Sequence, residues 1–135
     1  SELAKVLVDA ARDFAQISDR LMQVLSEVET NAQAMSAGAG QLILGFDEGR
    51  DIATQLDAAL SQFDLDGRLD QGLLDRLTQL KEEYAALDEA KDEYSKDGQA
   101  MITEIRQTAV DTKARINRMI DTVEATADSL RDNTV

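Results

Sequence analysis

Cysteine, histidine, proline and tryptophan are all absent from this chain of 135 residues. Zinc sites, haem attachment and cysteine or histidine nucleophiles depend on side chains that the sequence does not contain. A carboxylate-bridged di-iron centre is disfavoured as well, because its ligand set includes histidine. The sequence therefore predicts no metal site, no cofactor and no enzymatic activity.

The charge is strongly acidic, with 27 aspartates and glutamates against 14 lysines and arginines and a net charge of −13. Such a charge repels the phosphates of nucleic acids, and aromatic residues on which bases would stack make up only 4% of the chain. Because 43% of the residues are hydrophobic, the chain can still fill a core. We expect one folded domain over residues 1–135 that binds no nucleic acid.

Apolar residues recur at alternating steps of three and four along the chain. In the first segment this seam is interrupted at one position, by Asn31. The spacing is typical of helices that pack side by side, and no segment alternates apolar and polar residues as a strand would. The sequence predicts an all-α protein. The seam of the first segment consists of Leu3, Leu7, Ala10, Phe14, Ile17, Leu21, Val24, Val28, Asn31 and Met35.

Helix ends must come from glycine and short polar residues, because proline is missing. Three stretches have that composition: Ser36–Gly40, Asp64–Asp70 and Ser95–Gly98. Gly98 is expected to end the third helix in the left-handed conformation. Short connections make consecutive helices antiparallel, so the sequence predicts an up-down-up-down four-helix bundle. Its helices are expected at about 2–35, 41–64, 68–95 and 99–132.

An alternative is a hairpin of two long antiparallel helices, because the seam of the first segment continues in step as far as Phe63. Each helix would then have roughly 64 residues and a length of ~95 Å. Four of the seven glycines lie between residues 38 and 49. Each would cost about 1 kcal/mol relative to alanine inside a helix. A turn at Ser36–Gly40 would place two of these glycines outside the helices, where this cost does not arise, so the bundle is favoured.

The first segment carries a second apolar row beside its seam, running from Ala4 to Ala32. A stripe this wide exceeds what a peripheral helix of a bundle has to bury. Either this helix has a wide core face, or it also joins a second copy of the chain in a symmetric contact. A homodimer through helix 1 is retained as a prediction.

The segment Gln62–Leu73 has aspartates and a glycine at several spacings of a calcium-binding loop. Its first and twelfth positions are Gln62 and Leu73, whereas an EF-hand has Asp and a bidentate Glu there. Losing both ends of the ligand set should abolish affinity. We interpret the segment as a capped turn between helices.

Counting ~1.5 Å per residue places several polar residues about 37–43 Å from the end of the bundle that holds both termini. Arginine at such a level can bind a carboxylate through paired hydrogen bonds. In the alternative interpretation, the arginines reach the surface and pair with acids such as Asp47, Asp51 and Glu104. The predicted ligand-binding residues are Asn31, Arg50, Tyr94 and Arg106, with Lys91 at a similar height.

The stretch Leu73–Ile120 has Tyr84 near mid-helix, Tyr94 near the helix end, a turn of small residues and a long helix rich in Ala and Thr. In this stretch and in its overall layout, the chain resembles the extracytoplasmic ligand-binding domain of bacterial methyl-accepting chemotaxis receptors and related sensor kinases. The resemblance implies a homodimeric periplasmic sensor for chemotaxis or signal transduction. In that family, flanking segments anchor the parent chain in the membrane, and a helix displacement carries the signal. The arginine-bearing motif of the amino-acid receptors is missing, so the resemblance implies no particular ligand.

Two functions are expected from these patterns. One is a sensor domain that binds a small anionic molecule and passes on a helix displacement. The alternative is a structural or adaptor module of helices that mediates protein–protein interaction, for which the location would be cytoplasmic.

Overall fold

The structure is a computed structural model that describes residues 2–66, 71–91 and 96–133. These residues form four α-helices and no strand, which confirms the all-α prediction. The helices are α1 (Glu2–Ser36), α2 (Ala39–Asp66), α3 (Gln71–Glu89) and α4 (Lys96–Asn133).

The four helices form a ring of neighbours. α1 packs against α2 and α4, and α3 packs against the same two helices, so α1 lies diagonally opposite α3. Neighbouring helices are antiparallel: Arg50 of α2 pairs with Asp88 of α3, whereas Asp57, farther along α2, pairs with Lys81, which comes earlier in α3. The architecture is thus the predicted four-helix bundle and not the hairpin of two long helices.

The first predicted break, Ser36–Gly40, is a turn between α1 and α2. The Ala37 amide donates to the carbonyl oxygen of Ala34 at 3.1 Å, and the Gln41 amide donates to that of Gly38 at 3.2 Å. Gly38 has a φ of +156°, which residues with a side chain rarely adopt. Glycine at this position lets the chain reverse between α1 and α2.

The boundary between α3 and α4 differs from the prediction. α3 ends at Glu89, well before residue 95, and α4 begins at Lys96 instead of near residue 99. The Ala90 amide is shared between the carbonyl oxygens of Ala86 and Leu87, each at 3.1 Å, a tightening typical of the last turn of a helix. The prediction that Gly98 ends the third helix is wrong, because Gly98 is buried near the start of α4.

The core is built mainly from seam positions, together with second-row residues of α1 such as Leu25 and Ala32. Its side chains are almost entirely aliphatic, with Tyr84 as the aromatic member. Burial of such side chains stabilises a fold by about 1.5–3 kcal/mol each, so the seams account for most of the cohesion between the helices. The largest fully buried aliphatic residues are Leu21, Leu25, Val28, Leu56, Leu73, Leu77, Leu80, Leu87, Ile102, Ile105 and Ile116.

The wide apolar stripe of α1 lies in two environments. In the C-terminal half, second-row residues such as Ser18, Leu25 and Ala32 are buried together with the seam, so the bundle itself uses both rows. In the N-terminal half, the seam residues Leu3 and Leu7 are 69% and 40% exposed. Burial in the core therefore explains the C-terminal half of the apolar stripe. It does not explain the exposed N-terminal half. The homodimer stays a prediction.

α1 and α4 continue past the start of α3 at the end that holds both termini. The Arg115 guanidinium lies against Gly72 at the start of α3, and from there α4 runs on for ~27 Å to Asn133. The beginning of α1 accompanies it, since Leu7 and Leu130 line the same groove. We call residues 2–14 of α1 and 115–133 of α4 the terminal pair. Among the helices of the described ranges, none combines the length and hydrophobicity needed to cross a bilayer.

Candidate functional site

Asn31, the polar residue that interrupts the α1 seam, is buried and hydrogen-bonded to two other helices. Its Nδ2 donates to the carbonyl oxygen of Gly45 on α2 at 2.9 Å. Its Oδ1 accepts from the hydroxyl of Tyr84 on α3 at 3.0 Å. A buried polar group without a partner would cost about 1–3 kcal/mol, and these bonds remove that cost. They also link three helices at one level of the bundle.

Gly49 of α2 gives Tyr84 and Asn31 room to meet across the bundle, and Gly45 of the same helix leaves room for Met35. A Cβ atom on Gly49 would lie 3.0 Å from Cε1 of Tyr84, and a Cβ atom on Gly45 would collide with the side chain of Met35. Glycine inside a helix costs about 1 kcal/mol relative to alanine. The close approach of the neighbouring side chains explains why glycine is nevertheless suited to both positions. We call Asn31, Gly45, Gly49 and Tyr84 the buried polar cluster.

The Tyr84 hydroxyl acts in this cluster as a hydrogen-bond donor. Burial raises the pKa of Tyr84, and the carboxylate of Glu48 raises it further. The phenol therefore keeps its proton throughout the physiological pH range. Because the same ring is part of the core, a rotation of Tyr84 would change the packing and break the bond to Asn31 together.

A small pocket between α2 and α3 adjoins the buried polar cluster. Its volume is about 200 Å³, and Gly45, Gly49 and Tyr84 form part of its wall. Arg50 and Lys81 are the basic residues among the described ones that line it. The rest of the wall is formed by Phe46, Ala53, Ala85, Leu87 and Asp88.

The Arg50 guanidinium is held at this pocket by two carboxylates. Its Nη1 lies 2.9 Å from Oδ1 of Asp47, and its Nε lies 3.1 Å from Oδ1 of Asp88. Asp88 has a further cation nearby, the Lys91 Nζ at 3.9 Å. The Arg50 side chain is 51% exposed, and exposed ion pairs contribute only ~0–1 kcal/mol. The two ion pairs of Arg50 therefore contribute little to the stability of the bundle.

The residues predicted as one anion site are distributed over different parts of the bundle. Asn31 is buried in the polar cluster, and Arg50 lies at the adjoining pocket, paired with Asp47 as the alternative interpretation expected. Arg106 is exposed on α4, which lies diagonally across from α2. Tyr94 lies outside the described residues. Anion binding by this set stays a prediction, and of its members Asn31 and Arg50 are the two that the cluster and its pocket bring near each other.

The sequence interpretation missed Tyr84, Gly45, Gly49 and Lys81 as parts of the site. In the sequence, Tyr84 follows Leu77 and Leu80 at the heptad spacing and is therefore interpreted as a seam residue of the third helix. The glycine-rich stretch is interpreted mainly as a turn. The usable signal is the spacing of Gly45 and Gly49, four residues apart on one face of a helix. Small residues on such a face permit a close approach, and a buried asparagine needs a partner there.

The segment Gln62–Leu73 includes residues outside the described ranges, so its interpretation as a capped turn stays a prediction. Among the residues that the structure does describe, no three carboxylates gather as a potential metal ligand set.

Glu83 on α3 is another partly buried polar group, facing α4. Its Oε1 has no hydrogen-bond partner among the described residues, although the carboxylate bonds to Thr108. Burial raises the pKa of Glu83; the hydrogen bond with Thr108 lowers it, and the nearby Glu104 carboxylate raises it, leaving the pKa above its ordinary value. The folded protein therefore holds this proton more tightly than the unfolded chain.

This raised pKa predicts a pH dependence of stability. The contribution of Glu83 to the free energy of unfolding should be largest at acidic pH. It should fall as pH rises from the ordinary value of 4.5 through the higher pKa of the folded state, then level off. Urea unfolding at a series of pH values should show this decline flattened by Glu83→Gln. The control Glu82→Gln changes the exposed neighbour and should leave the decline intact; identical pH profiles for both variants would contradict the assignment.

Comparisons with protein-family models, curated proteins and solved structures gave no match. The resemblance to chemoreceptor sensor domains thus stays a hypothesis. What the chain does has to be inferred from its own geometry, in particular from the buried polar cluster and the pocket beside it.

Proposed function

We propose that the bundle is a sensor domain that binds a small anionic molecule in the pocket between α2 and α3. The observation that supports this proposal is a shared wall: Gly45, Gly49 and Tyr84 belong both to the pocket and to the buried polar cluster. A ligand in the pocket would therefore touch the residue whose hydroxyl bonds to Asn31 on α1. Binding and the position of α1 are coupled through that bond.

The wall of the pocket fits a short organic acid. Its volume of about 200 Å³ lies below the ~300–1,000 Å³ typical of pockets for drug-sized ligands. Phe46 and Leu87 offer apolar surface to a carbon skeleton, and Arg50 offers paired donors to a carboxylate. Lys81 adds a second positive charge, although it is ion-paired with Asp57 in the free protein.

The proposed signal is a displacement of α1. From Asn31 to Glu2, α1 is an uninterrupted helix of ~43 Å, and packed helices shift as rigid units over such lengths. A movement of Tyr84 would thus displace α1 at the end of the bundle that holds the termini. In the family that the chain resembles, this end faces a membrane. A periplasmic location and anchoring by flanking segments are part of the proposal.

The proposal predicts that Arg50 is required for ligand binding. A thermal-shift screen against small carboxylates, amino acids and nitrate should find a stabilising compound, because a ligand at 100 times its Kd adds ~2.7 kcal/mol. Arg50→Gln should abolish the stabilisation without loss of helix content by circular dichroism. The matched control is Arg106→Gln, which removes an exposed arginine outside the pocket and should respond like the parent protein.

A second readout tests the coupling to α1. In ¹⁵N-resolved NMR spectra, the side-chain amide of Asn31 should shift when the ligand binds, and Tyr84→Phe should reduce this shift while the ligand still binds. A screen without any stabilising compound, or equal loss of binding in Arg50→Gln and Arg106→Gln, would contradict the proposal.

A second candidate function is that of an adaptor module that binds other proteins. It is favoured by the exposure of large apolar side chains on the N-terminal part of α1, where Leu3 and Val6 are 69% and 61% exposed. Monomeric proteins seldom leave such residues grouped at the surface without a partner.

A further inference from the structure

The turn between α1 and α2 is short and is made of residues that also suit a helix. Ala37 and Gly38 are the residues between the two helices, and Gly38 has a φ of +156°. No proline interrupts this segment, and Ala37 and Ala39 favour a helix. Short connections with a constrained backbone are the ones at which two copies of a chain exchange an element.

The buried faces of α1 and α2 follow one heptad pattern that runs through the turn in step. Two helices joined by a turn can bury faces of any relative phase, so the closed bundle does not require this continuity. If the turn straightened, residues 2–66 would form one helix of ~98 Å with a single stripe on one side. The buried positions that fit the pattern are Leu21, Val28, Asn31 and Met35 on α1 and Gly45, Gly49, Ile52 and Leu56 on α2.

A straightened α1–α2 helix cannot remain within one bundle, because its two halves point away from each other. Each half regains the contacts of the closed bundle from a second copy. Met35 of one copy would lie against Gly45 of the other, and Asn31 of one copy would accept the hydrogen bond of Tyr84 of the other. We infer that two copies of this chain exchange α1 through the opened turn and form a dimer of two bundles placed end to end.

The exchanged dimer places the chain ends differently from the closed bundle. It has a terminal pair at each end, and each terminal pair combines α1 of one copy with α4 of the other. The exposed side chains of Leu3 and Val6 are then presented at both ends, as an adaptor that joins two partners requires. Anchors at both ends of one chain would keep the bundle closed, since exchange carries these ends apart. Exchange is thus open to the domain where its ends are free, and it goes with the second candidate function.

Substitutions at adjacent positions of the turn should shift the exchange in opposite directions. Gly38→Ala strains the closed turn and suits the continuous helix, so it should raise the dimerisation constant by about 20-fold or more, counting two turns per dimer. Ala39→Pro fits the first position of α2 but not the interior of a continuous helix, so it should abolish the dimer. The matched control is Gly40→Ala, which is helical in both forms and should leave the constant nearly unchanged.

Size-exclusion chromatography with light scattering measures the dimer after refolding at a series of protein concentrations. Because each copy has a net charge of −13, salt that screens the repulsion should favour the dimer. Circular dichroism checks that the variants have the same helix content.

Spin labels show which copy supplies α1, and the absence of cysteine lets them be attached at chosen sites. Ser26 and Asp51 line one groove between α1 and α2 in the closed bundle, whereas a continuous helix would separate them by ~38 Å. We expect a Ser26→Cys, Asp51→Cys chain, labelled and refolded with excess unlabelled chain, to lose the short distance in the isolated dimer. The distance of ~38 Å should remain there. Double electron–electron resonance measures both distances.

A dimer that keeps the short distance after this dilution overturns the inference, because each α1 then stays in its own bundle. A homodimer joined through the outer surface of helix 1 would give that result. The inference is also overturned if neither the parent chain nor Gly38→Ala forms a dimer, or if Gly38→Ala and Ala39→Pro dimerise equally. None of these results depends on Arg50, so the exchange and the proposed anion site stand or fall separately.

Discussion

Ile116→Ala should lower the free energy of unfolding by about 2–5 kcal/mol, the range measured for buried aliphatic side chains cut back to alanine. Ile116 is 0% exposed and lies in the core cluster together with residues such as Leu25 and Leu77. Its truncation removes apolar contacts and leaves a cavity that rigid neighbouring helices cannot close. Urea unfolding followed by circular dichroism measures the loss.

Two control variants show whether burial is the cause. Ile17→Ala should cost less than Ile116→Ala, because Ile17 is only partly buried at the edge of the core. The sequence pattern alone places both isoleucines in seams and predicts similar costs for them. Val110→Ala, at a position that is 40% exposed on the same helix as Ile116, should change stability by no more than about 0.5 kcal/mol. Equal losses at all three positions would mean that the described burial is incorrect.

The second large effect is expected from the bond between Asn31 and Tyr84. Asn31→Leu leaves the buried Tyr84 hydroxyl without its acceptor, and it should destabilise the bundle by about 1–3 kcal/mol. Tyr84→Phe leaves Asn31 Oδ1 without its donor and should also destabilise, by a similar or smaller amount. The double variant should lose less than the sum of the two single variants, since neither polar partner then remains buried alone.

Urea unfolding of the four proteins gives the coupling energy directly. The control pair combines Asn31→Leu with Thr54→Val, because Thr54 bonds within its own helix and lies on the exposed face of α2. That pair should be additive. Additive losses for Asn31→Leu and Tyr84→Phe would show that the hydrogen bond contributes nothing to the stability of the bundle.

The seams made most of the fold predictable, because a heptad pattern specifies both the helices and the face that each one buries. The choice between bundle and hairpin depended on the glycines, and Gly38 does lie in the turn between α1 and α2. The end of α3 was harder to predict. The segment Lys91–Gly98 holds residues that suit either a helix or a turn, so its sequence does not determine where one helix ends and the next begins.

The candidate site was less predictable than the fold. A count of residues along each helix gives the height of a side chain but not the direction in which it points or which helices are neighbours. Arg50 and Arg106 were placed at one height, whereas they lie on diagonally opposite helices. The break at Asn31 did identify a special position. Its partner Tyr84 lies on the diagonal helix, and the contact depends on the missing side chain of Gly49.

Several threonine hydroxyls of α4 donate to carbonyl oxygens of their own helix, and this affects how water binds to the surface there. Residue scales score Thr122 and Thr126 as hydrophilic, yet water at their surface meets methyl groups beside hydroxyls that already have an acceptor. Each hydroxyl has already donated its proton within the helix, so it can meet water only as an acceptor. This face of α4 is thus more hydrophobic than its residue types indicate, and a hydropathy plot would not detect it.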